Sequence, residues 1–175
     1  MRITTQAWET YIRRLAQLNE KAAQLMAEYL AAHGTADTEA LTDYAAALVQ
    51  KYGEGSAELA CQMYDAMAAL QNARVSPAEP AAPASRREVA RMVQATRESP
   101  PQMQRGVSRL VKRAGADTTL KNAQRDGAEF AWVPHGDSCA FCLREREVIF
   151  YGTCKSGTLE QAGGRKAAQS AGDPR

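Results

Sequence analysis

The first thirty residues carry an apolar side chain at almost every third or fourth position, which is the period of an α-helix. The stripe comprises Trp8, Tyr11, Ile12, Leu15, Leu18, Ala22, Leu25, Met26, Tyr29 and Leu30. Thr4 or Thr5 can cap such a helix, and Gly34 can end it. The sequence therefore predicts a helix over residues 5–33 whose wide apolar face packs on more than one neighbour.

Two further segments have the same helical period. One begins near Asp37 and stops at Gly53. The other begins with Ser56 as its cap and ends near Ala73. Because the connections between the three helices are short, we expect residues 1–74 to form an antiparallel N-terminal helical bundle.

A proline-rich segment follows this region. Pro77, Pro80 and Pro83 recur at every third residue, a spacing that favours polyproline II and prevents helix formation. Residues 75–84 are therefore predicted to be a semi-stiff Pro/Ala linker, with an SH3 or WW ligand as the alternative.

Two capping signatures predict a second helical segment over residues 85–127. The signatures are Ser85 with Glu88, and Ser99 with Pro100 and Gln102. The helix that Ser99 opens is predicted to end at Gly115. A further helix is predicted to follow it and to end at Gly127.

Charge is distributed unevenly, although the formal net charge is only +2. Residues 1–84 hold 6 basic and 10 acidic side chains, whereas residues 85–125 hold 10 basic and 3 acidic side chains.

The candidate nucleic-acid-binding residues are Arg105, Arg109, Lys112, Arg113, Lys121 and Arg125. Such residues could contact phosphates irrespective of base sequence. The alternative is a solvated face, or one that docks on an acidic partner such as the N-terminal bundle. Because no aromatic residues interleave with these charges, base stacking is not predicted.

A Cys-x-x-Cys turn follows the predicted helices. Residues 129–133 predict a short strand, and a Pro- and Gly-containing turn leads to Cys139 and Cys142. Two thiolates on such a turn can occupy two corners of a tetrahedral Zn²⁺ site. Within this chain, His135 and Cys154 could complete a Cys3His set. The alternative is a pair of reduced cysteines on a structured turn.

The remaining features concern redox state, the membrane and the C-terminus. Cys61 lies on a predicted apolar helix face and is interpreted as a small buried hydrophobic residue. All four cysteines are expected to be reduced, because the N-terminus lacks the apolar region of a signal peptide. No run of about 18 apolar residues is present, so no membrane span is predicted. Residues 128–153 form the Cys-x-x-Cys turn region, and residues 154–175 are predicted to be a disordered tail.

Five segments together resemble a known group of phage proteins. They are residues 45–53 (AAALVQKYG), 59–67 (LACQMYDAM), 115–123 (GADTTLKNA), 125–127 (RDG) and 132–142 (WVPHGDSCAFC). The chain resembles phage minor capsid proteins of the head-morphogenesis group (Mu F-like in the broad sense) over about residues 1–143. The resemblance implies a structural, non-enzymatic protein that associates with portal or capsid proteins beside packaged DNA. It also implies a virion head location after assembly in the bacterial cytoplasm.

The sequence departs from the pattern of that group after Leu143. In the group, a small-residue helix and a His and Cys cluster follow and complete a plausible metal site. Here no histidine follows His135, and Cys154 is the one later cysteine. We interpret residues 144–175 as a divergent C-terminus, either foreign or translated in another frame. The main alternative function is a small zinc-stabilised nucleic-acid-binding protein.

Overall fold

The computed structural model describes residues 5–128, with side chains from residue 9 onward. This range contains four helices and no strand. The helices are α1 (Thr5–His33), α2 (Thr38–Leu70), α3 (Arg86–Thr96) and α4 (Pro100–Asp126). The prediction of a mainly helical fold is therefore confirmed. Across this range, no helix combines the length and the apolar character that a bilayer span requires.

Helix α1 has the bounds that its apolar stripe predicted. It ends at Gly34, which adopts a φ of +67° and donates a backbone hydrogen bond of 2.9 Å to the carbonyl of Leu30. Asp37 then caps α2, because its side chain accepts a hydrogen bond of 3.0 Å from the amide of Ala40. The rings of Tyr29 and Tyr44 stack at 4.1 Å close to this connection, so α1 and α2 form an antiparallel hairpin.

Helix α2 is continuous where the sequence predicted two helices. The predicted stop at Gly53 and the predicted cap at Ser56 are both wrong. A Cβ atom on Gly53 would lie 3.0 Å from the Cβ of Pro83, and one on Gly55 would lie 3.3 Å from the Cδ1 of Leu18. Glycine therefore permits close packing here, and that packing outweighs a helix-propensity cost of about 1 kcal/mol per glycine.

Helix α3 begins as its capping signature predicted, whereas α4 is longer than expected. The capping box of Ser85 and Glu88 is formed in both directions. Helix α4 starts at Pro100 and does not end at Gly115, so that prediction is wrong. A Cβ atom on Gly115 would lie 2.7 Å from the Oγ of Ser56, which shows that Gly115 marks a close helix contact.

Residues 75–84, called the strap below, do not stand free as a spacer. Backbone groups of the strap bond to side chains of α2 and α4: Ala78 N to Asp65 Oδ1 at 2.8 Å, Glu79 N to Asn122 Oδ1 at 2.9 Å, Ala81 N to Thr118 Oγ1 at 2.9 Å, and Asn122 Nδ2 to Glu79 O at 2.8 Å. Both Thr118 and Asn122 are fully buried. A non-helical segment cannot pair its backbone amides and carbonyls within a helix. Side chains of α2 and α4 supply the missing partners, so the strap lies along both helices.

One core contains side chains from all four helices. Its buried members are Ala22, Met26, Leu30, Leu41, Ala45, Leu48, Val49, Val89, Met92, Val93, Met103, Val107, Leu110 and Val111. Of the described residues, those up to Asn122 belong to one compact unit, and those from Ala123 to Ala128 belong to a second. Within that second unit α4 ends as predicted at Gly127, whose φ is +62°. The helices that complete the bundle of α1 and α2 are therefore α3 and α4, and not a third helix before residue 74.

Candidate nucleic-acid interface

The candidate zinc ligands lie outside the part of the chain that the structure describes. This applies to His135, Cys139, Cys142 and Cys154, and also to the predicted strand at residues 129–133 and the predicted disordered tail. Among the residues that are described, no group of three or more His, Cys, Asp or Glu side chains is arranged to hold a metal ion. The zinc site therefore stays a prediction from sequence.

Cys61 is described, and it has the environment that the sequence predicted. It is a free cysteine whose side chain is buried in α2, with 5% of its surface exposed. Burial raises the pKa of its thiol above the usual value, and the nearby Glu58 and Asp65 add to the increase. The neutral thiol is therefore favoured, which fits a packing residue and not a reactive one.

The six candidate nucleic-acid-binding residues all lie on α4, and ion pairs divide them into two sets. Arg113 pairs with Glu88 at 2.9 Å and with Asp117 at 3.1 Å. Hydrogen bonds to Asp117 and Glu88 raise the pKa of the Arg113 guanidinium. Its charge is thus balanced by two carboxylates of the same chain, and it does not form part of an open cationic surface.

Lys121 and Arg125 also have acidic partners. The ammonium of Lys121 lies 3.0 Å from the carboxylate of Glu79 and donates to the carbonyl of Pro80 at 3.4 Å. Arg125, in the last turn of α4, pairs with its neighbour Asp126 at 2.8 Å. These contacts match, in part, the alternative that basic side chains of this segment dock on acidic groups of the same chain.

The remaining three cations form what we call the cationic row: Arg105, Arg109 and Lys112. All three are exposed, and none of them makes an ion pair with a residue in the described range. Their spacing of four and three residues places them on one side of the helix. The side chains of the row are therefore available to a partner.

The cationic row borders an open depression of about 490 Å³ between α1 and α4. Its lining includes all three cations together with Ala23, Pro101, Gln104 and Ser108. Ser108 donates a hydrogen bond of 3.3 Å to the carbonyl of Asn19, which links α4 to α1 at this point. The residues Gln104 and Ser108 were missed by sequence reasoning, although each lies within one helical turn of a cation of the row.

Electrostatics of this surface favour an anionic partner. Arg and Lys side chains donate hydrogen bonds but accept none, and at neutral pH they carry a full positive charge. The neutral neighbour Gln104 can donate hydrogen bonds from its side-chain amide to an oxygen-rich ligand, whereas the hydroxyl proton of Ser108 is already donated to the carbonyl of Asn19. The lining of the depression contains no aromatic side chain, so the surface offers no platform for stacked bases.

Comparison with known proteins gives one match. The model of a protein family described as VG15 protein matches residues 2–144, which is most of the chain. The matched range includes all four helices, the strap and the two cysteines of the Cys-x-x-Cys motif, Cys139 and Cys142. Neither the curated proteins nor the solved structures include a match to this chain.

Proposed function

Because this chain belongs to the VG15 protein family, a family of phage genes, we propose that it is a structural minor capsid protein. In this proposal the protein acts in head assembly in a tailed phage or prophage, near the portal and the packaged DNA. The observation that carries the proposal is the extent of the family match, which includes every described helix. The specific role in the head rests on the sequence resemblance to minor capsid proteins. The five segments that carry this resemblance all lie within the matched residues 2–144.

The architecture suits a protein that acts by presenting surfaces. All four helices share one core, and the strap joins α2 to α4 through hydrogen bonds that are exposed at α2 and partly buried at α4. Such a unit can hold outer helix faces in fixed positions, as an assembly component must, without large rearrangement on binding. We therefore propose a non-enzymatic role in which the partners are portal or capsid proteins and the location is the virion head.

The experiment that tests this role starts from a phage or inducible prophage that carries the gene. Virions are purified by density gradient, and their proteins are identified by mass spectrometry. The expected result is that the protein is present in heads and that deletion of its gene reduces the yield of filled heads. Complementation by the intact gene should restore that yield. Absence of the protein from virions, together with a normal yield after deletion, would overturn the proposal.

A second candidate function is a small zinc-stabilised nucleic-acid-binding protein. Its nucleic-acid part is favoured by the cationic row, whereas its zinc part depends on Cys139, Cys142, His135 and Cys154. A co-sedimentation assay with purified protein and procapsids distinguishes the two candidate functions. Co-sedimentation with procapsids or portal at moderate salt supports the assembly role. A zinc-dependent protein that binds DNA but never co-sediments supports the second candidate.

A further inference from the structure

We propose that the cationic row of Arg105, Arg109 and Lys112 is a binding surface for the sugar-phosphate backbone of nucleic acid, independent of base sequence. This proposal does not depend on the head-assembly role, because the free protein can be tested without any capsid component. It also reduces the set of candidate nucleic-acid-binding residues from the six that the sequence predicted to three.

The first support is the difference in availability between the two sets of cations. Arg113, Lys121 and Arg125 are each within 3.1 Å of a carboxylate in the same chain. A phosphate would have to displace those carboxylates from the basic side chains. Replacing one anionic partner by another would change the free energy little. The side chains of the row have no such partner in the described range, so contact with a phosphate adds a new charge interaction.

The second support is the spacing of the row along α4. With a rise of about 1.5 Å per residue, the seven steps from Arg105 to Lys112 extend about 10 Å along the helix axis. One strand of B-form DNA carries a phosphate for about every 3.4 Å of its axis, so the row matches about three phosphates. Each of the three side chains can therefore contact a different phosphate of one strand.

The third support is the chemistry of the surrounding surface. Large aromatic and apolar side chains dominate the energetic centre of most protein–protein interfaces. The depression beside the row contains only Ala23 and Pro101 as apolar residues, and the remainder of its lining is polar or basic. Nucleic-acid interfaces are more polar and more positive than protein interfaces, so this surface fits a phosphate backbone better than an acidic protein.

The fourth support is that α4 holds the row in place. The opposite side of the helix buries Met103, Val107 and Val111 completely, and Ser108 bonds to α1. The backbone that carries the three cations is therefore fixed before a ligand arrives. Only the side chains need to become ordered, which limits the entropic cost of binding.

The test measures binding of the full chain to a fluorescent 24-base-pair DNA duplex. Fluorescence anisotropy reports the binding at a series of NaCl concentrations. The row variant carries Arg105→Gln, Arg109→Gln and Lys112→Gln. The control variant carries Lys51→Gln, Arg87→Gln and Arg91→Gln, which removes the same charge from exposed positions on α2 and α3. Circular dichroism should show that both variants remain folded, because all six positions are exposed.

The expected result is a loss of affinity of at least about tenfold for the row variant at low salt. The slope of log K against log salt should also flatten by about 2 to 3, because about 0.9 is lost for each phosphate contact. The control variant should keep the wild-type slope within about one. A second duplex of unrelated sequence should bind with the same affinity.

Three results would overturn the proposal. The first is a control variant that loses as much affinity and slope as the row variant, since net charge alone would then explain binding. The second is a wild-type chain that does not bind either duplex at low salt. The third is displacement of DNA by poly-glutamate as effectively as by unlabelled DNA, which would assign the row to an acidic protein partner.

Discussion

The close contact between Gly115 of α4 and Ser56 of α2 predicts how a substitution at Gly115 changes the free energy of unfolding. Replacing Gly115 by Ala would place a Cβ atom 2.7 Å from the Oγ of Ser56 and 3.1 Å from its carbonyl oxygen. The hydroxyl can rotate, but the carbonyl belongs to a helix backbone and cannot move alone. The substitution therefore forces α2 and α4 apart or strains one of them.

Two opposing effects determine the size of the change. Helix propensity favours Ala over Gly by about 1 kcal/mol. Overpacking of a closely packed contact costs about 1 to 3 kcal/mol, and the backbone contact indicates the upper half of that range. We expect Gly115→Ala to lower the free energy of unfolding by about 1 to 2 kcal/mol, which corresponds to a fall in Tm of about 2 to 8 °C for a chain of this length.

Gly55→Ala is the matched control, because it makes the same change within α2. Its Cβ atom would lie 3.3 Å from the Cδ1 of Leu18, the end of a flexible side chain that can move aside. This variant should gain about 0.5 to 1 kcal/mol from helix propensity. The assay is urea denaturation followed by circular dichroism. Equal stabilisation by Gly115→Ala and Gly55→Ala would refute the close contact of α2 and α4.

Ser56→Ala completes a double-mutant cycle with Gly115→Ala. The Ser56 hydroxyl is fully buried and has no hydrogen-bond partner within residues 9–128, so removing it should leave stability unchanged or slightly increased. In the double variant the contact at 2.7 Å is absent, whereas the carbonyl contact remains. Because the hydroxyl can rotate and the carbonyl contact accounts for most of the strain, we expect a small favourable coupling of about 0.5 kcal/mol between the two substitutions. Simple additivity would show that the hydroxyl does not contribute to the clash.

The remaining predictions concern the strap, the α3 cap and the cysteines. Asn122→Ala should lower the free energy of unfolding by about 2 to 3 kcal/mol in urea denaturation, because it leaves the backbone of the strap unpaired; an unchanged midpoint would contradict the strap contacts. Ser85→Ala should cost about 1 kcal/mol at neutral pH. Hydrogen bonds from Ser85 and Arg113 lower the pKa of Glu88, so ionised Glu88 stabilises the fold above its ordinary pKa of about 4.3. That stability is lost as pH falls through the lowered folded value, and the Tm difference between wild type and Ser85→Ala should shrink there; a constant difference would contradict the link. The second candidate function predicts that metal analysis finds about one zinc per chain that is lost on replacing Cys139 and Cys142 by Ser, whereas a zinc-free wild-type chain would support the alternative of two reduced cysteines.

The sequence predicted helices well where local signals act alone. The bounds of α1 follow from an apolar stripe and a glycine that can adopt positive φ, and the start of α3 follows from the Ser85 and Glu88 capping box. Both signals are complete within a few residues of the chain. Distant contacts therefore do not have to be known in order to recognise them.

The glycines inside α2 and α4 misled the same reasoning for a physical reason. A glycine that ends a helix and a glycine that admits a neighbouring backbone look identical in sequence. Gly34 and Gly127 have positive φ and end helices, whereas Gly53 and Gly115 lie within helices and contact Pro83 and Ser56. The second role depends on residues that are 30 to 59 positions away in the chain. Only the folded chain distinguishes the two roles.

The same limit applies to the candidate site, where the sequence identified the basic segment but neither the single helix α4 nor the available side chains. The sequence divided the six cations between two predicted helices that the structure joins into α4, and it could not show which of the cations have acidic partners. Those partners are Glu79 in the strap, Glu88 on α3, and Asp117 and Asp126 on α4 itself. Acidic groups of the strap, of α3 and of α4 itself thus neutralise the far part of the basic segment, and the row near the start of α4 stays open to a partner. A charge count over residues 85–125 therefore overstates the phosphate-binding surface, because half of the six candidate cations already have partners within the chain.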